Sequence, residues 1–141
     1  MRIRYYIDAD LLGLAKVMVM VRADVTYPGD PGGTGVDGRT RSPCSIAADS
    51  LDADWIPEVA RRGWIVVSRD QHLSSRPAER EAIIVARARH LVLNSRQALN
   101  KWAQLEIVVN RWRSIEPLAQ LAGPWAYSVS RTTLRRIELG H

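Results

Sequence analysis

The segment GWIVVSRD, residues 63–70, carries the strongest indication of the fold. Residues 64–68 form an almost continuous apolar run, which is typical of a strand buried on both faces of a parallel sheet. Residues 52–62 precede this run, with acidic residues in their first turn and arginines in their last, as the dipole of a helix favours. We therefore predict a helix that stops at Gly63 and a buried strand, with Asp70 just past the end of that strand.

The rest of the chain continues the alternation of strands and helices. The pattern predicts a strand over 2–8, a helix over 11–21 and a short strand over 23–27. Downstream it predicts a helix that is opened by Ser75 and Pro77 and runs to about 89, and a strand over 90–93. It further predicts a helix over 95–120 capped by Ser95, and terminal strands over 124–138. This order predicts one α/β domain, residues 1–141, with a mainly parallel sheet.

Residues 28–50 interrupt this alternation. They hold five of the nine glycines and three of the seven prolines, which predicts a long loop. A structureless stretch of this length is uncommon inside a compact domain, so we expect the loop to be either functional or mobile.

Most of the tryptophans fall within apolar patterns. The helix predicted over 95–120 repeats apolar residues at spacings of three and four, namely Ala98, Trp102, Leu105, Val109, Trp112, Ile115 and Ala119. We assign Trp102 and Trp112 to the core on this pattern, together with Trp55 and Trp64. Trp125 alone stands in a context open enough for stacking on a nucleic acid base.

Charge and composition restrict the partners and the compartment. The 141-residue chain has a formal net charge of +5, and almost all of its positive side chains are arginines, whose planar fork suits phosphate. Charge alone leaves two interpretations open, a nucleic acid partner or a basic protein without one. Cys44 is the single cysteine, residue 1 leads directly into a strand pattern, and no apolar stretch is long enough for a bilayer, so we expect a cytoplasmic protein with no membrane partner.

Acidic residues follow two of the predicted strands. Asp8 ends the first strand and Asp70 follows the strand over 64–68, while Asp52 and Asp54 open the helix between them. Ligands of open parallel sheets gather at the carboxyl ends of the strands, so these acids could meet at one rim. The alternative is structural, because an aspartate after a strand often forms a turn or cap, and acids in a first helical turn are stabilised by the dipole.

A divalent cation would explain several carboxylates at one rim. Without it their negative charges repel one another, and some of the groups would take up protons. Mg²⁺ and Mn²⁺ prefer oxygen ligands, and Mg²⁺ keeps several waters. Such a rim describes a site for the hydrolysis of phosphodiesters.

Three segments resemble the PIN-like domains of VapC-type toxins: DADLLGLA (residues 8–15), DADWIPEVARRGWIVVSRD (52–70) and RPAER (76–80). The likeness rests on their order and spacing and covers most of the chain. It implies a three-layer α/β/α PIN-like sandwich with a mainly parallel central sheet of about four to five strands. It also implies a Mg²⁺- or Mn²⁺-dependent ribonuclease that is the toxin of a type II toxin–antitoxin pair.

The resemblance assigns roles to particular residues. Asp8 corresponds to the first PIN acid, Asp70 to the third, and Ser68 to a hydroxyl that helps to orient the site. Asp52 is the preferred second acid, because apolar residues follow it by three, four and seven positions. Asp10 is an accessory candidate near Asp8, but two positions along a helix or tight turn it could also face away.

Two features of the sequence leave this assignment open. Asp54 is a second accessory candidate, because Pro57 fits better in a helix capped at Asp54 than in one capped at Asp52. His72 stands where many PIN domains carry a further acid. That departure implies a three-acid site, a different ligand, or weaker metal binding.

Five arginines are candidates for contacts with RNA phosphates, namely Arg69, Arg76, Arg80, Arg39 and Arg41. The competing interpretation is that they are solvated or paired with nearby glutamates. By resemblance, the expected partners are the RNA substrate, a cognate antitoxin and a second copy of the chain.

Two other functions remain open at this stage. A PIN-like module that has lost catalysis would bind RNA or a protein without cutting it, as His72 suggests. A haloacid-dehalogenase-like phosphatase also uses an Asp-x-Asp motif after a strand, here Asp8 and Asp10, but its downstream lysine and paired-acid motif are not found and the chain is short for that fold.

Overall fold

Strands and helices alternate along the chain as predicted. The computed structural model describes residues 2–50, 52–69 and 76–140, apart from the side chains of residues 52 and 53. The strands are β1 (Tyr5–Ile7), β2 (Val25–Thr26), β3 (Gly33–Thr34), β4 (Thr40–Arg41), β5 (Ile65–Ser68), β6 (Arg89–Leu93), β7 (Trp125–Val129) and β8 (Leu134–Arg136). The α-helices are α1 (Leu12–Val21), α2 (Asp52–Arg61), α3 (Pro77–Ala86) and α4 (Lys101–Ile115), and two short 3-10 helices span Ala9–Leu11 and Glu116–Gln120.

The central sheet has six strands in the order β2-β1-β5-β6-β7-β8. The first five are parallel to their neighbours, and β8 folds back antiparallel against β7. The prediction of a mainly parallel α/β sandwich is therefore confirmed, and β2 and β8 bring the sheet to six strands. Moving along the chain, the sheet grows in one direction from β1 to β2 and in the other from β5 onward, so the strand order reverses between β1 and β5.

Helices cover both faces of this sheet. Residues of α1 and α4 pack in one apolar cluster with Tyr5 and Ile7 of β1. Tyr6, which lies between them, points to the opposite face, where it packs with Trp55 and Val59 of α2. Residues of α3 pack on β6 and β7 in a third cluster. The alternation of side chains along each strand thus produces the three layers.

The start of α4 differs from the prediction. Asn94, not Ser95, begins a short turn by accepting hydrogen bonds from the backbone N of Arg96 and Gln97. The helix itself begins at Lys101, where the side-chain oxygen of Asn100 accepts from the backbone N of Ala103 at 2.9 Å. Asparagine is among the preferred N-caps, and this one satisfies an amide that lacks a partner within the helix.

We expect Asn100→Ala to lower the free energy of unfolding by about 1 kcal/mol, because the substitution removes this cap. Urea unfolding followed by circular dichroism would measure the change. Asn110→Ala is the matched control, since Asn110 lies inside α4, is exposed and donates only to the carbonyl of Glu106. An equal loss in both variants would show that the cap is not the cause.

Two of the five predictions about tryptophans are wrong. Trp55 and Trp64 are buried as predicted and Trp112 is partly buried, but Trp102 is 76% exposed and Trp125 only 2% exposed. The buried positions of α4 are Gln104, Ile107, Val108 and Ile115, so its inner face is displaced from the predicted stripe and Val109 is exposed as well. Trp125 lies in the interior strand β7, and its indole N–H donates to the carbonyl of Leu121 at 3.0 Å.

The region predicted to be a structureless loop is folded around a buried ion pair. Strands β3 and β4 form a small antiparallel pair inside it. Arg41 is bound to Asp30, and the side chains of both residues are almost completely buried. Asp30 also accepts from the hydroxyl of Thr26 at 3.0 Å and from the backbone N of Gly32 at 2.8 Å. The ion pair therefore attaches this region to the carboxyl end of β2.

Arg41 was predicted to contact RNA, and its burial corrects that prediction. Its guanidinium is bound to Asp30 and also reaches the carbonyl of Val25, so it is directed into the protein rather than toward a ligand in solvent.

Within residues 2–50, 52–69 and 76–140, the helices are too short or too polar to cross a bilayer.

Candidate functional site

The strand order reverses between β1 and β5, and parallel sheets commonly bind ligands beyond the carboxyl ends of the strands at such a reversal. Asp8 directly follows β1 at this edge. Its backbone N donates to the carbonyl of Val67 in β5 at 2.8 Å, so the pairing of the two strands fixes its position. Asp8 therefore lies at the strand end where the sequence predicted it, and its role as a ligand stays a prediction.

Asp8 also has a structural task. One carboxylate oxygen accepts from the backbone N of Ala9 at 2.7 Å and caps the 3-10 helix Ala9–Leu11. A carboxylate has two oxygens and about four acceptor positions, so capping and binding of a ligand are compatible. The side chain is partly buried, which limits its rotation.

Asp10 lies at the same edge. Its carboxylate accepts from the backbone N of Arg69 at 3.0 Å, across 59 positions of sequence. The sequence left open whether Asp10 faces away from Asp8, and this bond places it beside the end of β5. We call Asp8, Asp10 and Arg69 the carboxylate rim.

Arg69 brings positive charge to the carboxylate rim. One guanidinium nitrogen donates to the carbonyl of Ala98 at 2.8 Å, in the segment between β6 and α4. An arginine has five N–H donors, so this bond orients the group and leaves other donors for an anion. The sequence named Arg69 as a candidate, but not the two contacts that fix it.

The other predicted arginines lie at α3 or in the β3–β4 region. Arg76, the residue before α3, binds Glu79 in the first turn of that helix at 3.1 Å on the surface, as the competing interpretation expected. Arg39 is exposed, 3.8 Å from Asp37 in the β3–β4 region. Arg80 is partly buried in α3.

The remaining predicted site residues are described only in part. Helix α2 begins at Asp52 and contains Pro57 in its interior, so the proline does not prevent a start at Asp52. Asp54 is exposed in the first turn of α2, and Ser68 is the buried last residue of β5. The side chain of Asp52, and all of Asp70 and His72, lie outside the described residues.

The donors at the carboxylate rim are of the type that Mg²⁺ and Mn²⁺ prefer, because Asp8 and Asp10 offer carboxylate oxygens. Among the side chains that the structure describes, no group of three or more histidine, cysteine or acidic residues is close enough to hold a metal ion. The described residues therefore supply two of the predicted carboxylates. Asp52 and Asp70 remain predicted ligands.

Comparison with known proteins agrees with this architecture. A family model described as "PIN like domain" matches residues 36–95, a range that contains α2, β5, α3 and β6. Asp8 and Asp10 precede the matched range. Searches of curated proteins and of solved structures gave no significant match to the chain.

The family match and the parallel sheet together support a PIN-like domain. Domains of this class are commonly nucleases, so the class suggests a nuclease-like module.

Proposed function

We propose that the protein is a metal-dependent ribonuclease that hydrolyses RNA phosphodiesters at the carboxylate rim. The observation that carries this proposal is that Asp8 is bonded to Val67 and Asp10 to the backbone N of Arg69, so both acids lie at the end of β5, where the strand order reverses. Hydrolysis of a phosphodiester requires acidic groups that can hold a cation, and it is helped by a basic group that can hold a phosphate. Asp8 and Asp10 offer the acidic groups, and Arg69 offers the basic group. The PIN-like match supports the same reaction class.

Asp8, Asp52 and Asp70 are the proposed metal ligands, with Asp10 and Asp54 as accessory ligands. A bound Mg²⁺ or Mn²⁺ supplies Lewis acidity and activates water for attack on phosphorus. The protein holds Asp8 at a fixed place through the β1–β5 pairing and the 3-10 helix, so the carboxylate does not have to be ordered when substrate arrives.

Positive side chains position the RNA in this proposal. Arg69 is oriented by the carbonyl of Ala98 and offers its remaining donors to a phosphate beside the acids. Arg76, Arg80 and Arg39 are the proposed outer contacts to the RNA backbone, where each neutralised phosphate makes binding more sensitive to salt. We propose Ser68 as a hydroxyl that helps to orient the rim from the end of β5.

The resemblance to VapC-type toxins motivates a biological role. We propose that the protein is the toxin of a type II pair, that a cognate antitoxin covers the carboxylate rim, and that the active form is a homodimer. Expression of the chain alone should arrest growth of its host, and co-expression with a neighbouring small open reading frame should relieve the arrest. Failure of every neighbouring frame to do so would contradict this role.

Cleavage of RNA tests the central proposal. We expect purified protein to cut total bacterial RNA into discrete fragments with Mg²⁺ or Mn²⁺ and to leave it intact with EDTA. Asp8→Asn should lower the rate by about 100-fold or more, because it removes a charged ligand where a metal contributes several kcal/mol to the transition state. Asparagine is also a good N-cap, so this variant should remain folded.

Glu138→Gln is the matched control, because Glu138 is exposed, lies in the C-terminal segment remote in sequence from the proposed acids, and loses the same charge. Its rate of cleavage should equal that of the wild type. Metal-independent cleavage, or cleavage unchanged by Asp8→Asn, would contradict the proposed site. Gel electrophoresis of the RNA, with circular dichroism of each variant, provides both readouts.

One observation favours a second candidate, a PIN-like module that binds RNA or a protein without cutting. Asp8 and Asp10 both accept hydrogen bonds from backbone amides, and a purely structural role would explain those contacts. RNA that stays intact with every metal, while the protein is folded and retains RNA in a filter-binding assay, would favour this module.

A further inference from the structure

A cavity of about 280 Å³ lies at the edge of the sheet opposite the carboxylate rim. Its lining includes Ile65 and Arg89, which are the first residues of β5 and β6, and Arg4, which directly precedes β1. Because these strands are parallel, their amino ends meet on one side and their carboxyl ends on the other. The cavity is therefore separate from the site discussed above.

Three arginines surround this cavity, namely Arg2, Arg4 and Arg89. Its other lining residues are uncharged, so no acid contributes to the wall. Its volume is several times the roughly 30 Å³ that one water molecule occupies in the liquid. A polar group larger than water can be accommodated beside three guanidinium groups.

Arg89 is held rigidly by neutral acceptors. One terminal nitrogen donates to the carbonyls of Ala119 at 2.9 Å and Leu121 at 3.4 Å, and the other donates to the carbonyl of Gly63. These three bonds fix the guanidinium without neutralising its charge. Since arginine has five N–H donors, two remain for a ligand in the cavity.

Arg2 and Arg4 are exposed, and the described residues give neither of them a carboxylate partner. The carboxylates of Asp24 and Glu116 contact a fourth arginine, Arg22. It binds Asp24 through two nitrogens at 2.9 and 2.8 Å and lies 3.9 Å from Glu116. Among the described residues, no carboxylate therefore forms an ion pair with any of the three cavity arginines.

Electrostatics at Arg89 agree with this geometry. Burial lowers the pKa of Arg89, and the positive charge of Arg2 lowers it further, whereas Tyr5 acts in the opposite direction. Arginine still remains charged at neutral pH. A bound anion would relieve both the desolvation and the repulsion between the two arginines.

We propose that this cavity binds a phosphate group through Arg2, Arg4 and Arg89, at a site distinct from the carboxylate rim. Guanidinium forks match the oxygens of phosphate in pairs, and the fixed donors of Arg89 lose little entropy on binding. The phosphate is either free inorganic phosphate or the terminal phosphate of an oligonucleotide. The proposal does not depend on catalysis.

Inorganic phosphate is the first probe, titrated into the full chain in EDTA by isothermal calorimetry, with chloride at equal ionic strength as the reference. We expect saturable binding of phosphate and none of chloride. The double variant Arg2→Gln/Arg4→Gln should weaken binding by about tenfold or more, since charge-assisted hydrogen bonds are lost. Both residues are exposed, so the variant should fold, whereas a change at Arg89 would also break three structural bonds.

The matched control is Arg135→Gln/Arg136→Gln, which removes two exposed arginines from β8 and should leave binding unchanged. A second arm compares a short oligoribonucleotide with and without a 5′-phosphate, again in EDTA. Tighter binding of the phosphorylated form identifies a terminal phosphate as the source, and binding of inorganic phosphate alone identifies the free ion. If the Arg2/Arg4 variant binds as well as wild type, or if the β8 variant loses as much, the proposal is overturned.

Discussion

Asp30→Ala is expected to lower the free energy of unfolding by about 3–5 kcal/mol, because it leaves a buried arginine without its carboxylate. The Arg41 side chain is 7% exposed, so water cannot replace the missing partner. The substitution also removes the acceptor of the Thr26 hydroxyl and of the Gly32 amide. Urea unfolding monitored by fluorescence would measure this loss.

A double-mutant cycle separates the ion pair from the space that it fills. Arg41→Met alone should be destabilising because Asp30 becomes the unpaired charge, whereas Asp30→Ala/Arg41→Met should cost less than the sum of the two single changes. Asp49→Asn serves as the surface control and should change stability by less than about 0.5 kcal/mol. Additive single losses would show that Asp30 and Arg41 stabilise the fold independently.

Trp55→Ala is expected to cost a similar amount, about 3–5 kcal/mol, because a large buried aromatic ring leaves a cavity. Trp55 packs on Tyr6 of β1 with a centroid distance of 5.3 Å and on His90 of β6 at 6.5 Å. The ring therefore holds α2 against two strands of the sheet. Since Asp52 begins α2, loosening this helix should also reduce RNA cleavage.

Trp102→Ala provides the matched control, because it deletes the same side chain from an exposed position. Its effect on the free energy of unfolding should stay within about 0.5 kcal/mol. Thermal and urea unfolding of the two variants under identical conditions would compare them. Equal losses would contradict the orientation of α4 described above.

The sheet could be predicted from the sequence because its strands have clear patterns. The apolar run over 64–68 indicates a strand that is buried on both faces of the sheet. Most of this run forms the interior strand β5. The alternation of helical and strand patterns then requires parallel connections. The position of Asp8 could be predicted in the same way, because a residue that directly follows an interior strand lies at the carboxyl edge of the sheet.

The orientation of α4 could not be predicted from its pattern. Trp102 and Val109 recur at helical spacing, yet a stripe of apolar residues does not state which side of a mixed helix faces the sheet. The true N-cap at Asn100 lies five positions after Ser95, and both residue types are good caps. The face of α4 that is buried is decided by its tertiary contacts with α1 and the sheet, and the sequence pattern does not contain those contacts.

The long-range polar contacts also could not be predicted from the sequence. The bond between Asp10 and the amide of Arg69 joins residues 59 positions apart, and the pairing of Asp30 with Arg41 needs the fold of the region between them. Isolated charges in a glycine-rich segment suggest solvent exposure, which is why Arg41 was expected to contact RNA. Asp52 and Asp70 stay predictions as metal ligands.

The strand at the far edge of the sheet has a further consequence. β8 has only three residues, it pairs on one side with β7, and Arg135 and Arg136 are exposed on it. An open strand edge invites pairing with the edge of another molecule, the step from which aggregates grow. Two such edges would bring four guanidinium groups together, so charge repulsion protects the folded protein from edge-to-edge aggregation.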